Sequence, residues 1–469
     1  MNSIVTNNTT LATIGLVVAI FVLIFLVMRT RVHALIAMLI AASIAGITGG
    51  LSGGETISVI TKGFGNTLGS IGIVIGLGVM MGRILEVSGA AEQIAYSLIK
   101  WLGKKKEEWA LAITGYIVSI PIFVDSAFVI LYPIAKALSK TGKRSLLTLG
   151  VALAGGLVVT HHTVPPTPGP LGVAGIFGVD LGSMMLAGLA LAIPSVIGIV
   201  LYAQWLGKKY PNFIPQEIDE EGELSELKST HEKYLNDKKD KVLPSLLLSL
   251  LPILVPIVLI LINAILSVLL KQEAYKVYSG HLLVSIIQFV GAPVIALSIS
   301  VLLAVYTLIP HLDRNQTQDR LEEGIQAAGI ILLVTGAGGA LGQILRDTPT
   351  GAILAGHVAS LPLPVVLIPF FISTLVRLIQ GSGTVAMITA ASICAPILSQ
   401  IPGVNMLAAA QAATMGSLFF GYFNDSLFWV VNRMMGIKDV KQQMIVWSIP
   451  TTIAWAIGGV GVLILNMIL

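Results

Sequence analysis

The chain has 469 residues, 55% of them apolar and only 11% charged, with a formal net charge of +4. Repeated apolar runs, each long enough to cross a hydrocarbon core of about 30 Å, exclude a soluble globular domain. A single cysteine, Cys394, excludes an intramolecular disulfide and a cysteine metal site, and in such a chain basic residues report loop orientation rather than a nucleic-acid surface.

The first apolar run, about Thr9 to Met28, has no basic residue before it and is followed by Arg29 and Arg31. It reads as a full span rather than a cleavable signal, with the amino terminus outside. Runs at about 33–51 and 67–88 then go outward and inward, ending at the basic stretch KWLGKKKEE. Residues 109–138 are apolar and are followed by a second basic stretch, KALSKTGKR. Both of their ends belong in the cytoplasm, yet one straight helix over this stretch would be about 45 Å long, too long for a single comfortable span. A re-entrant hairpin with Pro121 at its tip is expected. Residues 146–177 are apolar apart from THHTVPPTPGP; Pro165, Pro166, Pro168 and Pro170 cannot donate backbone hydrogen bonds, so two half-helices with a break are expected.

Residues 207–242 carry dense charge of mixed sign and read as a cytoplasmic linker. They divide a first membrane half, 1–206, from a second, 243–469. In the second half, spans at about 243–268, 282–309 and 324–345 leave the chain outside. The stretch 362–402 has flanks poor in basic residues and QGSGT at its centre, and reads as a second hairpin, entering from outside. A span over 406–434, interrupted at GYFNDS, lands on the basic stretch RMMGIKDVK, and 445–468 returns the carboxyl terminus to the outside.

The halves resemble each other. GLGVMMGRILEVSGA (76–90) aligns without gaps on GAGGALGQILRDTPT (336–350), an offset of 260 residues that also sets Gly156 on Gly416 and THHTVPP opposite FGYFNDS. Gly78/Gly82 and Gly338/Gly342 read as close helix packing. The expected fold is an all-α polytopic membrane protein of two inverted-topology repeats, with about 10 spanning helices, two re-entrant hairpins and broken helices at the midplane. Irregular backbone at that depth is tolerated only where protein or a water-filled cavity satisfies it, and exposed NH groups at a half-helix start attract an anion.

The candidate residues lie at these four discontinuities. Asp125, beside Ser126, follows the first tip; a buried carboxylate is either a proton carrier or a cap of the tip. At the first break stand His161, Thr163, Thr167 and Gly169. His161 either shuttles protons and donates to a carboxylate, or is a neutral histidine satisfying broken-helix carbonyls; His162 faces elsewhere by helical rotation and is given no role. Arg377 needs a partner at this depth. A substrate carboxylate, a salt bridge to Asp125 or Asp425, and snorkelling are the alternatives. Gln380, Gly381, Ser382, Gly383 and Thr384 form the second tip, as ligand site or as tight turn, and Asn424, Asp425 and Ser426 stand at the second break. The two histidines have no carboxylate at metal-ligand spacing, and no GxxxxGK[ST] loop occurs, so neither a metal, a cofactor, an enzymatic reaction nor ATP-driven pumping is expected.

The segments IPIFVDSAFVILYPIAK, HHTVPPTPGPLGVAGIFGVDLG, QGSGTVAMITAASICAPIL and NDSLFWVV resemble the gluconate permease (GntP) family of bacterial proton symporters over nearly the whole chain. The resemblance implies a multi-pass protein of the bacterial inner membrane that carries gluconate or a related sugar acid with H+, and a homodimer, since several transporters of the larger group are elevator-type dimers. Members that take D-serine or 3-hydroxybutyrate, and sodium coupling, are the alternatives; a passive anion channel is the non-carrier one. His161 matches a histidine common in the family, whereas Thr167 stands where the family commonly has histidine. Asp125, His161 and Asp425 are the candidates for proton coupling.

Overall fold

The structure, a computed structural model, describes residues 2–103, 106–141, 145–210, 243–270, 280–349, 355, 356, 358–360 and 362–469. Within them every regular element is helical. Of the expected linker 207–242, the first residues continue a helix through Lys209, and 211–242 lie outside the described residues.

The first half begins with α1 (Asn2–Arg29) and α2 (Ala34–Thr48). The third helix, α3 (Gly53–Ser88), starts well before the span expected at 67–88. Its first turns contain Gly53, Gly54, Glu55 and Lys62, which dilute the hydropathy there. The start is fixed instead by a capping box: Ser52 Oγ accepts from Glu55 N, and Glu55 accepts from Ser52 N. An amphipathic α4 (Ala90–Leu102) follows where only a basic stretch was expected. Next come α5 (Glu107–Val118) and α6 (Val124–Thr141), joined through 119–123. Then α7 (Leu146–Thr163) and α8 (Pro168–Phe177) are separated by Val164–Thr167, and α9 (Leu181–Lys209) closes the half.

The second half opens with α10 (Leu246–Leu270). The single span expected at 282–309 is two helices, α11 (Leu282–Val290) and α12 (Pro293–Leu308), bent by 64°. Pro293 at the first position of α12 has no NH to continue the ladder of α11. The long α13 (Arg314–Asp347) again outruns its expected span because a capping box, Asp313 with Gln316, starts it among polar residues. Two short helices, α14 (Ile368–Gln380) and α15 (Gly383–Leu398), meet at Gly381–Ser382. A second interrupted pair, α16 (Met406–Gly416) and α17 (Ser426–Met434), is separated by 417–425. The last helix, α18 (Val440–Ile468), contains a π-helical turn at Met444–Ser448.

Among the described residues six stretches are long and apolar enough to cross a membrane, seven if α11 and α12 count as one; the outer face of α10 (Leu247, Leu254, Val258, Ile262, Ile265) is exposed and apolar throughout. Such a face is ordinary against lipid and untenable in water. The centre is the opposite: every residue of α7 is buried, and so is most of α8, α15 and α16. The long helices α3 and α13 run antiparallel against each other. Gly63 and Thr67 of α3 meet Gly339 and Gln343 of α13 near one end, and Arg83 meets Glu323 near the other. Added Cβ atoms would lie 2.5 Å from Gln343 Cβ at Gly63 and 1.9 Å from Thr67 Oγ1 at Gly339, so the contact depends on these glycines.

Candidate functional site

The turn between α14 and α15 is built on Gly381, whose φ of +84° is a left-handed conformation that favours glycine. A Cβ there would also stand 2.0 Å from the carbonyl oxygen of Asn424. Loop 417–425 therefore lies directly on this turn. It satisfies carbonyls that α14 leaves open at its end: Asn424 Nδ2 donates to Leu378 O at 3.1 Å, and the Tyr422 hydroxyl donates to the same oxygen. Ser382 caps α15 through Val385 N.

Arg377, one turn before the tip, is buried and pairs with buried Asp425, Nη2 to Oδ2 at 2.5 Å. Of the partners open to Arg377 in the sequence, Asp425 is the one the structure supplies. Asp425 also caps α17, Oδ1 accepting from Leu427 N at 3.2 Å, and its Oδ2 accepts from Trp447 Nε1 at 3.3 Å. The indole reaches it from the π-helical turn of α18, a device that re-aims side chains and recurs at functional sites. Gly421 completes the packing: a Cβ there would be 2.6 Å from Trp447 Nε1, 3.0 Å from Asp425 Oδ2 and 3.1 Å from Arg377 Nη2.

The first half meets this cluster at three points. Asp125, at the start of α6, accepts from Ser426 Oγ at 3.5 Å. His162, near the end of α7, has its Nδ1 2.8 Å from Val158 O, and its Nε2 lies where a Cβ of Gly383 would come within 2.0 Å. Gly169 at the head of α8 faces Met387 and Thr384 of α15, a Cβ there standing 2.8 Å from Met387 Sδ and 3.6 Å from Thr384 Cγ2. His161 turns the other way, its ring 6.0 Å from Phe123 of the α5–α6 link and 5.7 Å from His162. The hydroxyls of the first break serve backbone: Thr167 Oγ1 donates to Val164 O at 2.6 Å and His161 O at 3.0 Å, and Thr163 Oγ1 donates to Val159 O at 2.8 Å. Ser126 faces Glu86 of α3 rather than the cluster.

Four buried polar atoms of this region have no hydrogen-bond partner: Arg377 Nε, Gln380 Oε1, Asn424 Oδ1 and His161 Nδ1. Buried polar groups are nearly always paired, so such a group asks for a ligand or water. Arg377, Gln380 and Asn424 offer a cationic donor and two amide acceptors, a set that suits a carboxylate bearing hydroxyls.

Three residues of this constellation escaped the sequence. His162 follows from rotation of an ideal helix only if its partners are known, and they come from α15, more than two hundred residues away. Trp447 is brought in by a π turn that hydropathy does not register. Gln411, a lone amide in the Ala-rich α16, was the legible one: its Nε2 donates to Met184 O at 2.8 Å and to Thr163 O at 3.4 Å, tying α16 to α9 and to the end of α7.

A sequence profile described as GntP family permease matches residues 11–468. A permease of Haemophilus influenzae is 69% identical over 414 residues, covering 88% of this chain and 84% of the relative. The high-affinity gluconate transporter of Escherichia coli is 32% identical over 418 residues, covering 88% and 90%. Among solved structures, the YdaH transporter of Alcanivorax borkumensis superposes with a TM-score of 0.59 at 14% identity, covering 92% of this chain and 97% of that one, a likeness of fold.

Proposed function

The chain belongs to the GntP permease family, and from that premise we propose a proton-coupled symporter for a small hydroxy-carboxylate, gluconate or a related sugar acid, in the bacterial inner membrane. The observation that carries this reading is the buried Arg377–Asp425 pair with unpartnered Arg377 Nε, Gln380 Oε1 and Asn424 Oδ1 around it. As the pair stands, the charges cancel. A substrate carboxylate that takes Arg377 displaces Asp425, and an uncompensated buried carboxylate is strongly unfavourable. A proton on Asp425 restores neutrality, so the empty site and the site loaded with substrate and H+ have the same net charge. Substrate alone leaves one negative charge in excess. Asp125, 3.5 Å from Ser426, and His161 are the other groups that would hold the proton.

The substrate hydroxyls would donate to Gln380 and Asn424, and the turn Gly381–Thr384 would close over them. Alternating access would come from halves 1–206 and 243–469 in opposite orientation, with 109–138 and 362–402 as re-entrant hairpins and both termini outside. The antiparallel α3 and α13, and the matching order of long helix, helix pair, interrupted pair and long helix in each half, support this reading. A homodimer would supply a fixed frame for such motion.

The test is uptake of labelled gluconate into proteoliposomes under an imposed pH gradient. Accumulation in vesicles that are alkaline inside, abolished by a protonophore, is the expected result. Accumulation that follows a sodium gradient and ignores pH would overturn proton coupling. Failure of external label to accumulate in counterflow against unlabelled gluconate inside would overturn the carrier.

A further inference from the structure

Between α1, α14 and α15 lies a cavity of about 190 Å³, and every side chain around it is aliphatic except the Cys394 thiol. From α14 it is lined by Ile372, Leu375, Val376 and Ile379, a stripe at helical spacing, and Arg377 stands on the opposite side of the same helix. Leu375, in the wall of the cavity, is also 58% exposed, so the cavity is a groove open on the outer surface. The neighbours say what that surface faces. Phe21 and Phe25 flank Ile24 on α1, Phe371 adjoins Ile372 on α14, and all three rings are exposed, as against hydrocarbon. Water has no polar partner in such a groove and cannot fill it. The depth follows from α1. Ile24 and Ile20 line the groove and come five and nine residues before Arg29, about 8 and 14 Å along the helix axis. The hydrocarbon of one leaflet is about 15 Å deep. The groove thus spans the depth of a single leaflet, and exposed Arg29 and Arg31 stand where the head groups of that leaflet begin.

We propose that this groove binds a phospholipid, with one acyl chain between α1 and the α14–α15 pair and the phosphate at Arg29 and Arg31. The two arginines favour an anionic head group. The acyl chain fills the seam along which α1 meets the pair, and it backs the helix whose other side carries Arg377. The lipid site stands whatever substrate or coupling ion the protein carries.

The test uses the full-length protein in phosphatidylcholine nanodiscs with a small share of phosphatidylglycerol that bears a diazirine midway along one acyl chain. After irradiation, peptide mass spectrometry locates the label. The outward face of α10 (Leu254, Val258, Ile262) is exposed to surrounding lipid and serves as the reference. Label on 20–24, 372–379 and 393–398 should exceed label on α10 several-fold. A cationic residue beside the membrane favours an anionic lipid about fivefold. Arg29→Gln with Arg31→Gln, at exposed positions, should therefore lower the groove label by at least that factor and leave the α10 label as it was. Cys394→Phe, which adds a ring to the lining, should bring the groove label down to the level of α10. Groove label no stronger than α10 label in the wild type means surrounding lipid only and overturns the site. Groove label unchanged in the double arginine variant overturns it as well, whether or not Cys394→Phe folds. Groove label that is weak in a dimer and strong in a monomer assigns the groove to a second copy of this chain, and the lipid falls with it.

Discussion

The two interrupted helix pairs have the same order of elements but different chemistry. The break between α7 and α8 is four residues long, Val164–Thr167, and contains two prolines that need no acceptor. Thr167 closes it onto its own carbonyls. The break between α16 and α17 spans 417–425 and carries Asn424 and Asp425. Its backbone needs outside partners: Gly421 N donates to Thr451 Oγ1 at 3.0 Å, and Gly421 O accepts from Ser448 Oγ at 2.5 Å. A proline-rich break seals itself and makes a wall. A longer polar break must borrow partners from α14 and α18, and so gathers Arg377 and Trp447 around Asp425. The second half thus holds the charge and the first half shapes the space against it.

The most severe way to break this division is to strip the charged pair. Asp425→Asn leaves Arg377 buried without a counter-charge, and breaking one side of such a pair destabilises by about 3–5 kcal/mol. Gluconate uptake should vanish and the melting temperature should drop. The paired change Arg377→Met with Asp425→Leu should recover much of the melting temperature but no uptake, because an apolar pair replaces a buried ion pair at little loss of stability. Recovery of uptake in the double variant would remove the pair from the site.

A smaller effect is expected at the tip. Gly381→Ala places a Cβ 2.0 Å from Asn424 O in a left-handed conformation. Strain of this kind is of order 1–3 kcal/mol. Because it pushes the turn off loop 417–425, apparent affinity for gluconate should fall more than stability does; a variant with wild-type KM would show that the turn and the loop need not touch.

How much of this could be read beforehand depended on range. The helical class, the interruption at VPPTPGP and the polar QGSGT turn are local signals, and proline and glycine state their backbone consequences directly. The starts of α3 and α13 were also written locally, in Ser52 with Glu55 and Asp313 with Gln316, but hydropathy alone hid them. What the sequence withheld is partnership. Arg377 had three possible partners, and the one it has is 48 residues on. Helical rotation turns His162 away from His161, yet Gly383 comes to meet its Nε2. Rotation fixes where a side chain points and says nothing of which element arrives there.

On the first-half side, Thr167→Val tests whether the proline-rich break is wall rather than binding group. The hydroxyl donates to two backbone oxygens, and leaving them unpaired in the interior costs about 1–3 kcal/mol. Thermal stability should fall by that scale with KM for gluconate unchanged, so a raised KM at constant stability would move Thr167 into the binding group.

The mildest test concerns Trp447. Its Nε1 gives Asp425 Oδ2 a second donor beside Arg377 Nη2. Trp447→Phe keeps an aromatic ring in the buried slot against Gly421 and removes that one hydrogen bond, worth about 0.5–1.5 kcal/mol. Arg377 is then the one remaining partner of Oδ2, beside the Leu427 N cap on Oδ1, and Asp425 is released more readily when substrate claims the guanidinium. If substrate and Asp425 compete for Arg377, losing the indole donor should tighten gluconate binding by a few fold. Unchanged or weaker binding would mean that the indole only fills space, and that substrate and Asp425 do not compete for Arg377.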